Sequence, residues 1–483
     1  MIAPHILTAR RRMDLIRPAL RLGVGSAHLV GICGSGMKAL AELLLGLGWK
    51  VTGSDLRPMT PLHRKMRERG VRIHSGHDDS FLPRDVDVVV HSPAVGPNNP
   101  ELRMAVRLGI PQMSYSQMLG HLMQTRVGVA VAGTHGKSTT AAMTATILGG
   151  SRLSASAVFG AELCDTGASG WAGTGDILVT ESCEYQRSFL DLRPRFAAIL
   201  GIEPDHFDCY KSFADMKAAF AGFSQCVEAG GVMLVRADCA ASAEVVESTA
   251  AEVVTFSNAE GADWWATDER RGSAGVRFRI FFRGDYFSEI SLRTRGRHNV
   301  LNALAAAALS HHAGATPQEI REGLALFPGI RRRFETVGWW RGVTLIDDYA
   351  HHPTEVRATL ATAREEFCTR KIWCAFQPHQ VSRTNALMSE FAESFSPADE
   401  ILIAPVFAAR ESLQEEPITT AQELASRIAA RGQAVRFCPS LDQIISTLED
   451  ESRPGDVLIT MGAGDIDRVP HEFTRRLQRR HTA

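Results

Sequence analysis

The stretch VAVAGTHGKSTTAAM, residues 129–143, joins an apolar run to a glycine-flanked turn and then to a helix-like segment. A continuous apolar run closed by glycine reads as a strand buried on both faces, the kind found in parallel sheets. The turn after it is chemically specific. Gly133 and Gly136 leave room for backbone N–H groups to face an anion, and the following helix adds its positive N-terminal end. Lys137 supplies a point charge for β- and γ-phosphates, and the Ser138 hydroxyl can ligate Mg²⁺. The full GxxxxGK[ST] template asks for glycine at 131, where Val131 stands, so the match is the shorter GxxGKS core. The bland alternative is a tight strand-to-helix turn with a solvated lysine. The strong strand before it and TTAAMTATIL after it favour a nucleotide site.

The same grammar recurs along the chain. It is found in AHLVGICGSGMKALAELLLGLG (27–48), KVTGSD (50–55), VDVVVHSPA (86–94), DILVTESCE (176–184) and FAAILGIEPDH (196–206). It returns in GVTLIDDYAHHP (342–353), KIWCAFQPHQ (371–380), EILIAPV (400–406) and DVLITMGAGDID (456–467). Parallel sheets with crossover helices bind ligands beyond the carboxyl ends of their strands, and here those ends carry Lys, Ser, Glu, His and Asp. The polar alternation of GVRFRIFFRGDYFSEISLRTRGRHN (275–299) predicts antiparallel hairpins beside the parallel sheet. The fold class is α/β with three domains: a Rossmann-like N-terminal domain, a central P-loop ATPase-like and mostly parallel sheet, and a Rossmann-like C-terminal domain. The expected boundaries are 1–125, 126–328 and 329–483, with a basic segment at 1–26.

A chain of 483 residues exceeds one ordinary core. Its 53 basic and 54 acidic residues argue against a nucleic-acid-binding surface over the whole chain. The nine cysteines are scattered with none at CxxC spacing, which fits reduced thiols better than a disulfide framework or a zinc site. No apolar run reaches the roughly 18–20 residues of a spanning helix, so no membrane insertion and a cytoplasmic location are expected. MIAPHILTARRRMDLIRPALRLG (1–23) is Arg-rich without a continuous apolar core, and reads as a surface helix in preference to a transit peptide.

Mg²⁺–phosphate chemistry needs hard oxygen ligands at neighbouring strand ends. Glu181 closes DILVTE with Glu184 three residues on, and GIEPDHFD offers Glu203, Asp205, His206 and Asp208. Spacing alone leaves His206 either a metal contact or an outer histidine. GICGSG (31–36), followed by Asp55 at the next strand end, approaches the GxGxxG dinucleotide turn. Cys33 stands where the second glycine would admit a pyrophosphate. That weakens a nicotinamide-dependent oxidoreductase and leaves open a diphosphate held differently, or helix–sheet packing alone. RRRFE (331–335), DDYAHHP (347–353) and FQPHQVSRT (376–384) bring Arg, Asp, Tyr and His to further strand ends, where arginines can clamp a carboxylate or phosphate. His351 and His352, adjacent on extended chain, point to opposite faces, so one packs while the other meets substrate.

The ordered set GxxGxGM, SD, GTHGK[ST]T, ExxE…SFL, IExDHxDxY, GRHNxxNA, RRFE, DDYxHHPTE, FQPH and GAGDI, over roughly residues 27–467, resembles the Mur ligase family. Within it the motifs are most similar to the branch that joins L-alanine to UDP-N-acetylmuramate at the expense of ATP in peptidoglycan precursor synthesis. The resemblance implies that the first domain holds the UDP part of the substrate, at Gly31, Gly34, Gly36, Asp55, His77 and Ser92. It implies ATP at Gly133, Thr134, His135, Gly136, Lys137, Ser138 and Thr139, with Asn299, Arg333 and Asp348 completing the nucleotide site. Family Mg²⁺ ligands, two ions in all, fall on Ser138, Glu181 and His206. Lys137, Glu181 and His206 are the implied catalytic set, and Tyr349, His351, His379 and Arg383 match positions near the incoming amino acid. A monomer or homodimer is expected.

The sequence departs from the family pattern at Cys33 for Gly, Gln186 for Asp, Gly201 for Asn and Gln380 for Arg. Arg to Gln removes a charge and a fork, which leaves Arg383 to hold a carboxylate alone. Many relatives carry a carbamylated lysine, and neither Lys211 nor Lys217 is singled out for that role. Two alternatives remain: the relative that attaches a recycled tripeptide to the same acceptor, and a catalytically silent nucleotide-binding relative. Lys137 is expected to face ligand, so that Lys137→Ala abolishes ligation without unfolding the chain.

Overall fold

The computed structural model describes residues 25–57, 61–272, 274–409, 411 and 417–482. The expected helix in the basic N-terminal segment lies outside the described residues. Three sheets follow one another along the chain, each with helices on its faces, in a mixed α/β fold.

The first sheet runs Arg72–Ser75, Lys50–Asp55, Ser26–Val30, Val88–His91, Gln112–Ser114, all parallel. Its order reverses beside Ser26–Val30, so the turn at 31–36 opens onto the crevice where such sheets bind ligands. The second sheet has ten strands, with Val127–Ala132 between Phe196–Ile199 and Ile177–Glu181. These strands bring the phosphate turn, Glu181 and the 200–208 loop to one end. Beyond Glu252–Ser257 the sheet continues as an antiparallel meander, Trp264–Gly272, Gly275–Phe282 and Asp285–Leu292. The hairpin expected at 275–299 is therefore the outer part of that meander, while residues 297–299 open a helix instead.

That helix, Arg297–His312, is Ala-rich because it packs closely against both the sheet and the neighbouring helix Lys137–Gly150, and Ala303 to Ala308 are fully buried. The opposite face is closed by Phe189, Phe220 and Phe223. The third sheet places Val457–Met461 between Val343–Asp348 and Ile372–Phe376, and Glu335–Trp340 joins its edge antiparallel. Helix Pro353–Glu366 starts where Pro353 can spare its missing N–H and His352 caps Thr354 N.

The bodies are tied by charge. Glu162 of the second sheet's body pairs with Lys38 of the first and lies 3.4 Å from Arg331, at the entry to the third. The cysteines are free thiols, as their spacing predicts. Among the described residues no helix is long and apolar enough to cross a membrane.

Candidate active site

The phosphate turn is held open by backbone geometry. Gly133 (φ +128°) and Gly136 (φ +79°) lie in the left-handed region, where a side chain is strained. A Cβ at 133 would come within 2.8 Å of Leu200 N, and one at 136 would collide with Asn302 Oδ1. Asn302 donates to Asn299 Oδ1 (3.1 Å), and Asn299 donates to Arg295 O (2.6 Å). The start of the GRHN helix is thus fastened behind the turn, a role for Asn302 that the motif order did not assign. Thr134 N–H donates to Gly201 O (2.9 Å), so Gly201, at φ +135°, accepts from the turn.

Lys137 does not project freely. Its Nζ donates to Gly133 O (2.6 Å), Thr134 O (3.1 Å) and Glu184 Oε1 (2.9 Å). His206 Nε2 lies 3.2 Å from the same Glu184 oxygen. Burial opposes the charge on Glu184, but Lys137 and then His206 outweigh it and hold the carboxyl below the usual range. Burial likewise opposes the ammonium of Lys137, and Glu184 more than offsets it. Glu184, which the sequence offered without a role, is the centre of this cluster.

Glu181, at the end of the adjacent strand, abuts Gly160, and a Cβ there would collide with its Oε1. Glu181 Oε2 and Glu184 Oε2 are buried with no hydrogen-bond partner. Two orphaned carboxylate oxygens beside the Ser138 hydroxyl's helix terminus are what a hard cation satisfies, so the residues fit Mg²⁺. His135, Glu203 and His352 also have ligand atoms within 4.8 Å of one another. The His352 ring is already spent, since Nδ1 accepts from Thr354 N–H (3.3 Å) and Nε2 donates to Pro204 O (3.3 Å).

In the first body, Asp55 Oδ2 accepts from Cys33 N–H (2.7 Å) and Oδ1 from Arg57 N–H (2.8 Å), which fixes the glycine-rich turn. Burial, then Asp55, pushes the Cys33 thiol up to about 11, so it is not a thiolate at neutral pH. Gly31 (φ +85°) faces Ser92 and Gly36 faces the Tyr115 ring, each too close for a side chain to fit unshifted. His77 Nδ1 is 2.8 Å from Glu101 Oε1 and 3.0 Å from Ser54 Oγ, and Glu101 also meets His28 Nε2 at 2.6 Å. His28, Ser54 and Glu101 are fully buried, and Gly34 lies in the turn itself.

The third body closes over the cluster. Tyr349 lies between the guanidiniums of Arg332 and Arg333, 5.0 and 5.5 Å from its ring. Asp348 accepts from Phe334 N–H (2.7 Å) and Ala350 N–H (2.8 Å), and burial raises its carboxyl to about 6 against the pull of Arg333. The rings of Tyr349 and His351 are 5.4 Å apart, those of His351 and His379 5.8 Å, and Arg383 Nη1 is 3.0 Å from His379 Nδ1. The four positions named for an amino acid are therefore adjacent. Arg383 Nε also donates to Asp205 Oδ1 (2.7 Å), both side chains almost wholly buried. That bond sets the group beside His206. Gln380 is buried at φ +67° and its N–H donates to Phe407 O, so Arg383 carries the positive charge of this segment.

Family models match three consecutive regions: the Mur ligase family catalytic domain over residues 26–127, the Mur ligase middle domain over 131–310, and the Mur ligase glutamate ligase domain over 332–464. The chain belongs to the Mur ligase family. It is similar to a protein named UDP-N-acetylmuramate–L-alanine ligase from Salinibacter ruber, 38% identical over 457 residues, covering 94% of this chain and 95% of that one. Among solved structures, UDP-N-acetylmuramate-alanine ligase MurC from Thermotoga maritima matches with TM-score 0.77 at 27% identity, over 94% of this chain and 99% of that one. A murein peptide ligase from Psychrobacter arcticus matches with TM-score 0.70 at 26% identity, over 93% and 98%.

Proposed function

We propose that this chain is an ATP-dependent ligase that joins L-alanine to UDP-N-acetylmuramate in peptidoglycan precursor synthesis, working in the cytoplasm. The lactyl carboxylate takes the γ-phosphoryl of ATP, giving an acyl phosphate and ADP. The amine of L-alanine then attacks the acyl carbon, and the tetrahedral intermediate collapses to amide and phosphate. The observation that carries the reading is the convergence, at one strand-end mouth, of Lys137, the orphaned Glu181 and Glu184 oxygens, and the Tyr349–His351–His379–Arg383 group.

Lys137 leaves Glu184 to meet the transferring phosphoryl, while the Gly133–Thr139 turn offers its N–H groups to the phosphates. Mg²⁺, two ions in this reading, would be held by Ser138, Glu181 and His206 and would neutralise charge spreading over the phosphoryl group. Arg383, oriented by Asp205, holds the carboxylate of L-alanine. His351 is neutral, because burial pushes it down to about 4, and its Nδ1 donates to Tyr349 O (2.9 Å). Its Nε2 is then an acceptor able to receive a hydrogen bond from the alanine amine. Asn299, Arg333 and Asp348 flank the nucleotide, and the crevice at Gly31, Gly34, Gly36, Asp55, His77 and Ser92 takes the UDP moiety.

The folds of the alanine and murein peptide ligases are both close matches, so the acceptor is decided by chemistry. Phosphate release from ATP and Mg²⁺ with UDP-N-acetylmuramate is measured with L-alanine, glycine, L-serine and the tripeptide, with products weighed. Release with L-alanine and a product heavier by one alanyl residue is expected. Release with the tripeptide alone moves the chain to recycling, and none with any acceptor makes it a silent relative.

A further inference from the structure

His135 sits inside the phosphate turn, between the two left-handed glycines, yet its ring faces away toward two carboxylates. Nδ1 lies 3.2 Å from Glu355 Oε1 and Nε2 lies 3.5 Å from Glu203 Oε2. The Nδ1 contact is a hydrogen bond and the Nε2 contact an ion-pair distance without hydrogen-bond geometry, and a carboxylate on each side of the ring favours the imidazolium. Glu203 belongs to the second body and Glu355 to the third. We propose that Glu355 is a positioning residue: it grips His135 across the interface and so ties closure of the third body to the shape of the turn that holds the phosphates of ATP.

The inference rests on the ligase reading and deepens it. Glu355 also accepts from His351 N–H (3.0 Å) and lies 3.4 Å from Arg333 Nη1. One carboxylate thereby touches the phosphate turn, a nucleotide-side arginine and the amino-acid group. Glu203 is fixed from both sides, its N–H donating to Thr134 Oγ1 (2.9 Å) and its Oε2 accepting from Thr354 Oγ1 (2.7 Å) of the third body. With the latch made, phosphoryl transfer starts only when the site that receives the amine is in place, which spares the acyl phosphate from water.

The groups facing His135 are Glu203, Glu355 and the His352 ring, 4.6 Å away, with Lys137 two residues along. Burial opposes its charge, but the two carboxylates raise the imidazole to about 9. The latch is therefore complete at neutral pH and is lost as pH rises through about 9.

The test uses the full chain and the variants E355Q, H135Q and E365Q. Glu365 lies on the same helix and pairs with Arg271 across the same interface without touching the turn, so E365Q is the control. Histidine NMR, assigned with H135Q, is expected to show His135 titrating near 9 and falling by about one to three units in E355Q but not in E365Q. In turnover, E355Q is expected to lower amide formed per phosphate released by at least about fivefold, and H135Q to do the same and erase the alkaline limb. An imidazole that titrates in the ordinary range, or that E355Q leaves unmoved, overturns the proposal whether or not the chain ligates alanine. Normal titration shifts with unchanged coupling overturn it too. A chain without ligase activity sinks the functional reading alone, because the NMR result still decides the latch.

Discussion

Replacing Lys137 with methionine separates chemistry from stability in one residue. Lys137 Nζ and Glu184 Oε1 form a pair at 2.9 Å, with side chains 17% and 0% exposed. Removing one partner of a buried pair costs about 3–5 kcal/mol, because the other charge is left without compensation. Here His206 stays 3.2 Å from the same oxygen, and Glu184 can take up a proton, which places the loss near the lower end, about 3 kcal/mol. For a body of this size each kcal/mol moves Tm by about 2–4 °C, so K137M should melt about 6–12 °C below the parent. The sequence led us to expect a lysine that faces ligand, so that its removal abolishes ligation without unfolding the chain, and a drop of this size is compatible with that. What the structure adds is the partner, since the Glu184 carboxylate holds the ammonium.

The double variant K137M/E184Q removes charge on both sides and should recover most of the lost Tm. Turnover should not recover, since a preorganised cation at a developing charge contributes about 10²–10³ in kcat. Thermal melts by circular dichroism and phosphate release with the amide product weighed read the two effects independently. Retention of more than about a tenth of parental turnover in K137M would refute the phosphate-turn assignment. A double variant as unstable as the single would refute the buried-pair reasoning instead.

Arg383→Lys keeps a charge but loses the planar fork that takes Asp205 and His379 together, so KM for L-alanine should rise about tenfold while KM for ATP holds, in steady-state assays. Gly160→Ala would push against Glu181 Oε1, and the half-saturating Mg²⁺ concentration should rise about tenfold or more with the melting curve little changed. Glu101 is buried, and although burial opposes its charge, hydrogen bonds from His28, Ser54 and His77 hold its carboxyl below the usual range. A depressed carboxyl stabilises above its unfolded value and loses that contribution as pH falls through the folded one. Denaturant melts should therefore weaken below about pH 4.3, and E101Q should flatten that acid limb.

What was legible in the sequence was local. The apolar runs ending in Gly133, Glu181, Gly201 and Asp348 fold as strands because a run buried on both faces has few other solutions, and their ends carry the reactive groups by chain continuity. The antiparallel meander showed in its period-two alternation, though its first strand, Trp264–Gly272, was masked by WWATDERR, whose charges fall on the more exposed second half of an inner strand. What escaped were partnerships between distant positions. Asp205 with Arg383 and His135 with Glu355 are separated by 178 and 220 residues, and no periodicity announces them. Asn302 escaped for a different reason. Its amide reads as one polar residue in an alanine-rich helix, and only the missing Cβ of Gly136 explains why it is there.

The chemistry of the closing interface bears on turnover itself. Asp205–Arg383 and His135–Glu355 are ion pairs, and Thr354–Glu203 a charge-assisted hydrogen bond, all between the second and third bodies. Each charge gives up water on closure, so the net gain of a buried pair is near zero even though breaking one partner is costly. An apolar seam would instead add about 25 cal/mol for each Å² removed from water and hold the bodies shut after the product had formed. Pairs of this kind demand correct geometry when they close and cost little to reopen. An enzyme that must exclude water from an acyl phosphate and then release a large nucleotide product needs both properties in the same interface.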